Sequence, residues 1–315
     1  MVNEQKNIKY NILKILYLAK GDTVSGVRLS DALDISRVAV WKHITALKEN
    51  GVEIESCPKG YILCNHDDLL LPFCFSSGLG EKIFHFQEIE STMDQAKALA
   101  KKDAPHLSVV IAENQTTGRG RLNRKWFSSK GGLWFTLILK PEIPPPLAYI
   151  YNFAASLSLS TSLKRLFDVD VSVKWPNDLL LNGKKLVGLL SEMETRGDMV
   201  EFVNIGIGMN VNNQPQRYEP KAVSLKDVLG KPVSRKLILE TFLDDFKTRI
   251  QAIDCHRIID LWKEQTSTIG SRVRIETLGD VYEGLAVDVD ETGALMIKDN
   301  TGETKKIIYG DCFHT

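Results

Sequence analysis

Nowhere in these 315 residues does an apolar run approach the ~18 residues that a membrane-spanning helix needs. The N-terminal stretch MVNEQKNIKYNILKILYLAK also lacks the uncharged apolar core and small-residue cleavage site of a secretory leader. Both absences point to a cytoplasmic protein with no membrane partner. Charge of one sign is not in excess, since 40 lysines and arginines face 40 aspartates and glutamates. A chain that coats nucleic acid or an anionic surface along its whole length is thereby excluded, and any anion recognition must be local. Cysteine is scarce and unpatterned: Cys57, Cys64, Cys74, Cys255 and Cys312 are odd in number and form no C-x-x-C pair. That distribution speaks against a disulfide framework or a structural zinc. Familiar catalytic signatures are missing too, with no G-x-x-x-x-G-K-[ST], no G-x-S-x-G and no H-E-x-x-H. GIGMN at 206–210 holds a G-x-G, but without a third glycine it is a weak dinucleotide sign.

What is present is a globular composition, 43% hydrophobic and 25% charged, in a chain long enough for two or three units. In residues 1–66, Ile8, Ile12, Ile15 and Leu16 share one helical face, and VSGVRLSDALDISRVAVWKHITALKENG follows. Ser36 is placed as an N-cap, Val40, Ile44 and Leu47 as the inward face, and Gly51 as the C-terminal stop. The outward face then carries Val38, Lys42 and Thr45, with Arg37 in the first turn and His43 beside it. VEIES, PKG and YILC read as a hairpin with Lys59 at its tip. Three helices with a basic third helix and a β-wing form a winged helix-turn-helix, whose third helix enters the major groove while the wing touches phosphate. A module that only dimerises has the same outline. This region has nine lysines and arginines against seven acids, a surplus of two, which predicts a short footprint and a need to dimerise.

LLLPFCFSSGLG, within 67–80, reads as a linker. From 81 to 268 strand-like and helix-like stretches alternate. Helices are expected over about 147–167 and around Leu239, Phe242, Leu243, Phe246 and Ile250, packed on a mixed sheet. From 269 to 315 short alternating strands between Gly/Asp/Asn turns predict a small SH3-like β-barrel. The fold class is therefore α+β and multidomain.

Chemistry concentrates in the middle region. GRGRLNRKW, residues 118–126, holds four cations and two glycines, with no acid between Glu113 and Glu142. Gly118 and Gly120 would let the backbone wrap closely, and Arg119, Arg121 and Arg124 are forked donors suited to carboxylate or phosphate. A small-anion loop, a solvated turn and a nucleic-acid patch all remain open on these residues alone. KWPNDLLLNGKKLVG supplies a second polar constellation.

Together, QTTGRGRLNRKW and KWPNDLLLNGKKLVG, preceded by EIEST and followed by GIGMNVN, resemble the biotin protein ligases. The N-terminal winged helix-turn-helix and small C-terminal domain match the subclass that also represses the biotin operon, and the likeness spans essentially the whole chain. It implies a class II synthetase-like ligase domain that makes biotinyl-5'-AMP and pyrophosphate from biotin and MgATP. A lysine of a biotin carboxyl carrier protein, in acetyl-CoA carboxylase or another biotin enzyme, would then take the biotinyl group. By motif position the resemblance assigns Ser91, Thr92, Met93, Gln115, Gly118, Arg119, Gly120, Arg121 and Lys185 to biotin and its adenylate. It assigns Arg121, Trp126, Asn177, Lys185 and Asn210 to the nucleotide. Arg119, Lys185 and Asp178 would be catalytic, and Asp178 would also be the carboxylate for Mg²⁺ or the attacking amine. Arg37, Val38, Lys42, His43, Thr45 and Lys59 would contact operator DNA, with the adenylate favouring a homodimer. Two departures stand out: Met93 replaces the Asn of many relatives, and CPKGY is one residue shorter than the usual wing turn.

Overall fold

The computed structural model describes residues 7–64, 66–251 and 254–315. Residues 1–6, which open the stretch read for a leader, and Asn65, inside the expected 1–66 domain, lie outside the described residues. The chain divides into two compact units, Met1–Glu81 and Lys82–Thr315.

In the first unit α1 (Ile8–Leu18), α2 (Gly26–Leu33) and α3 (Arg37–Glu49) precede the hairpin of β1 (Ile54–Cys57) and β2 (Gly60–Leu63). Ser25 and Ser36 cap α2 and α3, their hydroxyls accepting from the Arg28 and Ala39 backbone N–H groups at 3.1 Å. Such caps satisfy donors that the first helical turn leaves unpaired. Ile12 and Leu16 of α1, Val40, Ile44 and Leu47 of α3, and Leu63 of β2 fill one buried core. Cys57 pairs with Gly60, so Pro58 and Lys59 form the wing tip. The 67–80 stretch, expected as a linker, folds back on this core: Phe73 meets Tyr10 edge-on and Tyr17 at a tilt, and Tyr17 donates to the Cys74 carbonyl. It ends in a short α4 (Ser77–Gly80).

The second unit is built on a seven-stranded mixed sheet. Its strands are β3 (Ile83–Phe86), β4 (Ser108–Ala112), β5 (Leu133–Leu139), β6 (Val171–Lys174), β7 (Asp178–Leu181), β8 (Lys184–Arg196) and β9 (Met199–Met209). Their order is β3-β4-β5-β9-β8-β7-β6, and only β3 and β4 run parallel. β5 reads LWFTLIL and is buried throughout, because helices cover both of its faces. On one face α5 (Thr92–Ala100) is tied to Thr136 through Thr92 at 2.9 Å. On the other, Phe135 packs edge-on against Phe242 of α8 (Arg235–Gln251), beside α6 (Ile150–Phe167). The shorter α7 (Leu225–Leu229) and α9 (Cys255–Gln265) complete the helices of this unit.

The C-terminal strands β10 (Arg272–Glu276), β11 (Val281–Val289), β12 (Leu295–Lys298), β13 (Thr304–Ile307) and β14 (Asp311–His314) pair antiparallel in the order β13-β12-β11-β10-β14. No ladder joins β13 to β14 among the described residues, so the expected barrel is here an open sheet. Trp175 anchors this sheet to the rest of the unit, its indole N–H donating to the Gly293 carbonyl at 3.1 Å.

A buried ion cluster fixes the base of the central loop. Arg235, at the start of α8, donates to Glu113 Oε2 at 2.7 Å and to the Gly132 carbonyl at 3.2 Å, while His85 lies 3.2 Å from Glu113 Oε1. Burial raises the Glu113 pKa, but the His85 hydrogen bond and the Arg235 charge outweigh it and hold the carboxyl down at about 2. A depressed carboxyl pKa stabilises the fold above the ordinary carboxylate value, and the benefit disappears as pH falls from about 4.5 to about 2. Glu113→Gln should therefore cost the second unit about 3 kcal/mol near neutral pH, because the buried Arg235 charge loses its carboxylate. Urea unfolding at pH 7 and pH 2.5 checks this, since the gap to wild type should shrink at the lower pH.

Candidate active site

Three strands lay the floor of a cavity of about 300 Å³. Gly208 pairs with Trp134 on one side and Gly188 on the other, and Gly206 pairs with Thr136 and Leu190. Residues opposed across a ladder share a face, so Gly188, Gly206 and Gly208 leave a shallow bare patch on the α5 side of the sheet. Trp126 fills part of it: a Cβ on Gly208 would overlap its indole nitrogen, and one on Gly188 would press on its ring at 2.9 Å. Met93 covers Gly206 in the same way. The Trp126 indole N–H is buried with no partner among the described residues, a donor left in the cavity wall.

The cationic segment is a narrow hairpin above this floor. The Trp126 backbone N–H donates to the Gly118 carbonyl at 2.8 Å, the Gly120 N–H donates to the Arg124 carbonyl at 2.7 Å, and Arg121–Asn123 make one 3₁₀ turn. Gly118 is required by this closure, because a Cβ there would collide with the Trp126 carbonyl and the Ser128 hydroxyl. Gly120 faces no such crowding, the nearest atom being 3.7 Å from a Cβ.

Acids from distant segments answer the arginines. Arg119 donates to Glu192 at 2.7 Å and to Asp94 at 2.6 Å, and Arg124 lies 2.5 Å from Asp311. Burial lowers the Arg119 pKa, but hydrogen bonds and charge from Glu192, then Asp94, raise it overall. Arg121 is more deeply set, and burial lowers its pKa against the opposing pull of Asp311 and Asp178. Its one hydrogen bond among the described residues, to Asn177 Oδ1, is long at 3.4 Å, so there its guanidinium is the least occupied of the three.

Around the arginines lie two braced polar groups. Gln115 accepts from the Thr92 backbone N–H at 2.7 Å and the Thr92 hydroxyl at 3.1 Å, and donates to Ser128 at 2.7 Å. Ser91 caps α5, accepting from Met93 N–H at 3.2 Å. Opposite, Lys185 Nζ lies 2.7 Å from Asp178 Oδ1, an ion contact without hydrogen-bond alignment, and 5.2 Å from the Trp126 ring centre. Asn177 is locked to β8 by exchange with Leu189, and Asn210 accepts from Asn213 at 2.9 Å.

Ser91, Thr92, Met93, Gln115, Arg119, Gly120, Arg121, Trp126, Asn177, Asp178, Lys185 and Asn210 thus line one cavity, with Gly118 just behind the hairpin. Arg37, Val38, Lys42, His43, Thr45 and Lys59 belong to the first unit, where Arg37, Val38, Lys42 and Lys59 are exposed and His43 and Thr45 half-buried. Sequence reading missed the glycine floor, the acids Asp94, Glu192 and Asp311, and an aromatic rim in which Phe127 stacks on Tyr218 at 4.4 Å. GIGMN was the available signal for the floor: its two glycines are one strand period apart and so share a face. Among the described residues no group of three or more His, Cys, Asp or Glu is arranged to hold a metal.

The second unit is thus a mixed sheet carrying a cationic cavity, and a helix-turn-helix unit precedes it in the chain. Residues 85–210 match the biotin/lipoate A/B protein ligase family, 9–62 a helix-turn-helix domain, and 268–315 the biotin protein ligase C-terminal domain. The chain is 34% identical to the bifunctional ligase/repressor BirA of Bacillus subtilis over 98% of both, and 29% identical to that of Escherichia coli over 90% and 91%. A biotin protein ligase of Aquifex aeolicus, solved with biotin and ATP, superposes with a TM-score of 0.64 at 26% identity, over 74% of this chain and 99% of that one. The chain belongs to the biotin protein ligases of the bifunctional ligase/repressor type.

The seat of Trp126 can be tested alone. Gly208→Ala should lift the indole, moving Trp126 emission to longer wavelength and opening it to acrylamide. Trp126→Phe in the same background identifies the signal, and an emission spectrum unchanged by Gly208→Ala would contradict the packing.

Proposed function

We propose that this protein activates biotin with ATP and transfers it to a carrier-protein lysine in the cytoplasm, and that the adenylate makes it a repressor. The supporting observation is the convergence of Arg119, Arg121, Lys185 and Gln115 on one cavity from separate segments of the chain. In the first step a biotin carboxylate oxygen attacks the α-phosphorus of ATP, the bond to pyrophosphate breaks, and biotinyl-5'-AMP forms. Both reactants are anions, so concentrated positive charge must hold them together before the bond forms. Arg121, half-buried and lightly bonded, binds the phosphates, and Lys185 acts as a point charge between carboxylate and α-phosphate. Arg119 leaves Glu192 and Asp94 to close over the acyl phosphate. Trp126, Asn177 and Asn210 frame the nucleotide, while Ser91, Thr92, Met93, Gln115, Gly118 and Gly120 hold the biotin moiety.

In the second step the carrier lysine nitrogen attacks the acyl carbon, the acyl–phosphate bond breaks, and AMP departs with the electron pair. Asp178 accepts the proton shed by the amine. Magnesium would enter with ATP. A cavity with few carboxylates, Asp178, Glu219 and Asp311, suits an ion held mainly by phosphate oxygens. The adenylate-bound protein forms the homodimer that binds a palindromic operator through α3 and the wing.

Incubating the full-length protein with labelled biotin, MgATP and an acceptor domain should label the acceptor; an unlabelled acceptor would reduce the protein to a biotin sensor. Arg119→Ala should release the adenylate to solvent at least tenfold faster, roughly the loss of one charge-assisted hydrogen bond. Operator affinity in gel shifts should rise when biotin and MgATP are added together, and equal affinity with and without them would remove the coupling.

A further inference from the structure

The outward face of α3 carries apolar as well as charged side chains. Val38 and Trp41, one turn apart, are 64% and 57% exposed, opposite the buried Val40, Ile44 and Leu47. Side-by-side exposure of a valine and a tryptophan on a small unit marks a contact surface. Thr45 lies one further turn along, and its hydroxyl donates back to the Trp41 carbonyl at 3.0 Å. Between Ser36 and Asn50 there is no Asn or Gln, the side chains that read adenine with two hydrogen bonds. What flanks the apolar strip is cationic: Arg37 and Lys42 on the helix and Lys59 at the wing tip, with no acid before Glu49. An apolar strip rimmed by cations complements the floor of a phosphate-walled groove, and an apolar side chain in the major groove has one specific partner, the thymine 5-methyl group.

We propose that α3 reads its operator chiefly through thymine methyl groups, with Val38 and Trp41 as the specificity-determining side chains and the cations fixing register on phosphate. This rests on the reading of the first unit as an operator-binding module. Both residues lie in the first half of α3, the part of a recognition helix that reaches base edges. The half-site should therefore be thymine-rich where the helix enters the groove.

Duplexes enriched from a randomised pool by the full-length protein with biotin and MgATP provide the probe. Resynthesis with deoxyuridine for thymine, one position at a time, removes only the methyl group. At one or two positions per half-site the wild type should lose about fourfold in affinity, the worth of one buried methyl. Val38→Ala and Trp41→Ala should bind the thymine duplex more weakly, and each should lose the deoxyuridine penalty at its own position. Val38→Ile should keep it. Indifference of the wild type to deoxyuridine at every position overturns the proposal, as does an undiminished penalty in both alanine variants. Failure to enrich any duplex overturns the operator-binding reading and this one with it. Both side chains are exposed, so an unchanged melting temperature verifies that the variants are folded.

Discussion

The second unit depends on one guanidinium that is 7% exposed, that of Arg235. It joins Glu113, just past β4, to Gly132, just before β5, and so closes the base of the loop that carries every cation of GRGRLNRKW. An ion pair this deep is strongly destabilising to break, because the surviving charge has no water to turn to. The pairs further out differ in kind. Arg119 is about a third exposed, and so is Glu192; contacts in such surroundings are worth little net and are easily exchanged. The loop thus has a fixed base and a releasable tip. That combination suits a segment that must find the same position each time yet trade protein carboxylates for those of a ligand.

Trade of this sort bears on selectivity. With Arg119 on Glu192 and Asp94, Arg124 on Asp311, and Lys185 on Asp178, three cations of the unliganded cavity are already answered by acids of the protein. A neutral ligand has nothing to offer these cations that they lack. An anion has, provided its charge falls where a carboxylate stood. Among the arginines Arg121 is the exception, since its contact is with the neutral Asn177 and is long at 3.4 Å.

Much of this was legible in the chain. Ser36 before an i, i+4, i+7 apolar pattern gave α3 its start and its inward face, and the wing followed from alternation around Pro58 and Lys59. The cavity residues carried by GRGRLNRKW and KWPND were visible because residue type and close spacing coincide there. Pairing was not visible. Glu192 and Asp94 stand 73 and 25 residues from Arg119, and no local pattern says which acid a strand order will bring up to which arginine. For the same reason an absence of acids within the loop did not mean unpaired cations. The 67–80 stretch misled in the opposite direction: its Ser-Ser-Gly ending reads as a tether, while Leu69, Leu71 and Phe73 pack on the first core. Closure of the C-terminal sheet, a matter of which edges meet, leaves no mark in short alternating strands.

The glycine floor shows how two weak signals become one strong constraint. Gly206 and Gly208 alternate with buried isoleucines on β9, and Gly188 sits across from Gly208 on β8, so three side chains are missing from one patch of an otherwise filled sheet. Close-packed interiors do not leave such a patch empty without consequence. Trp126 takes it, but only part of the indole is satisfied: the ring finds the sheet and the edge of Trp134, and the indole N–H finds no partner among the described residues. A buried unpaired donor of this kind costs about 1–3 kcal/mol. The seat is therefore good enough to hold the ring and imperfect enough to be improved by any acceptor brought within reach. A ligand that places an oxygen beside Trp126 and a negative charge near Arg121 and Lys185 relieves both deficits at once. Neither group alone selects such a molecule; their juxtaposition over bare backbone does.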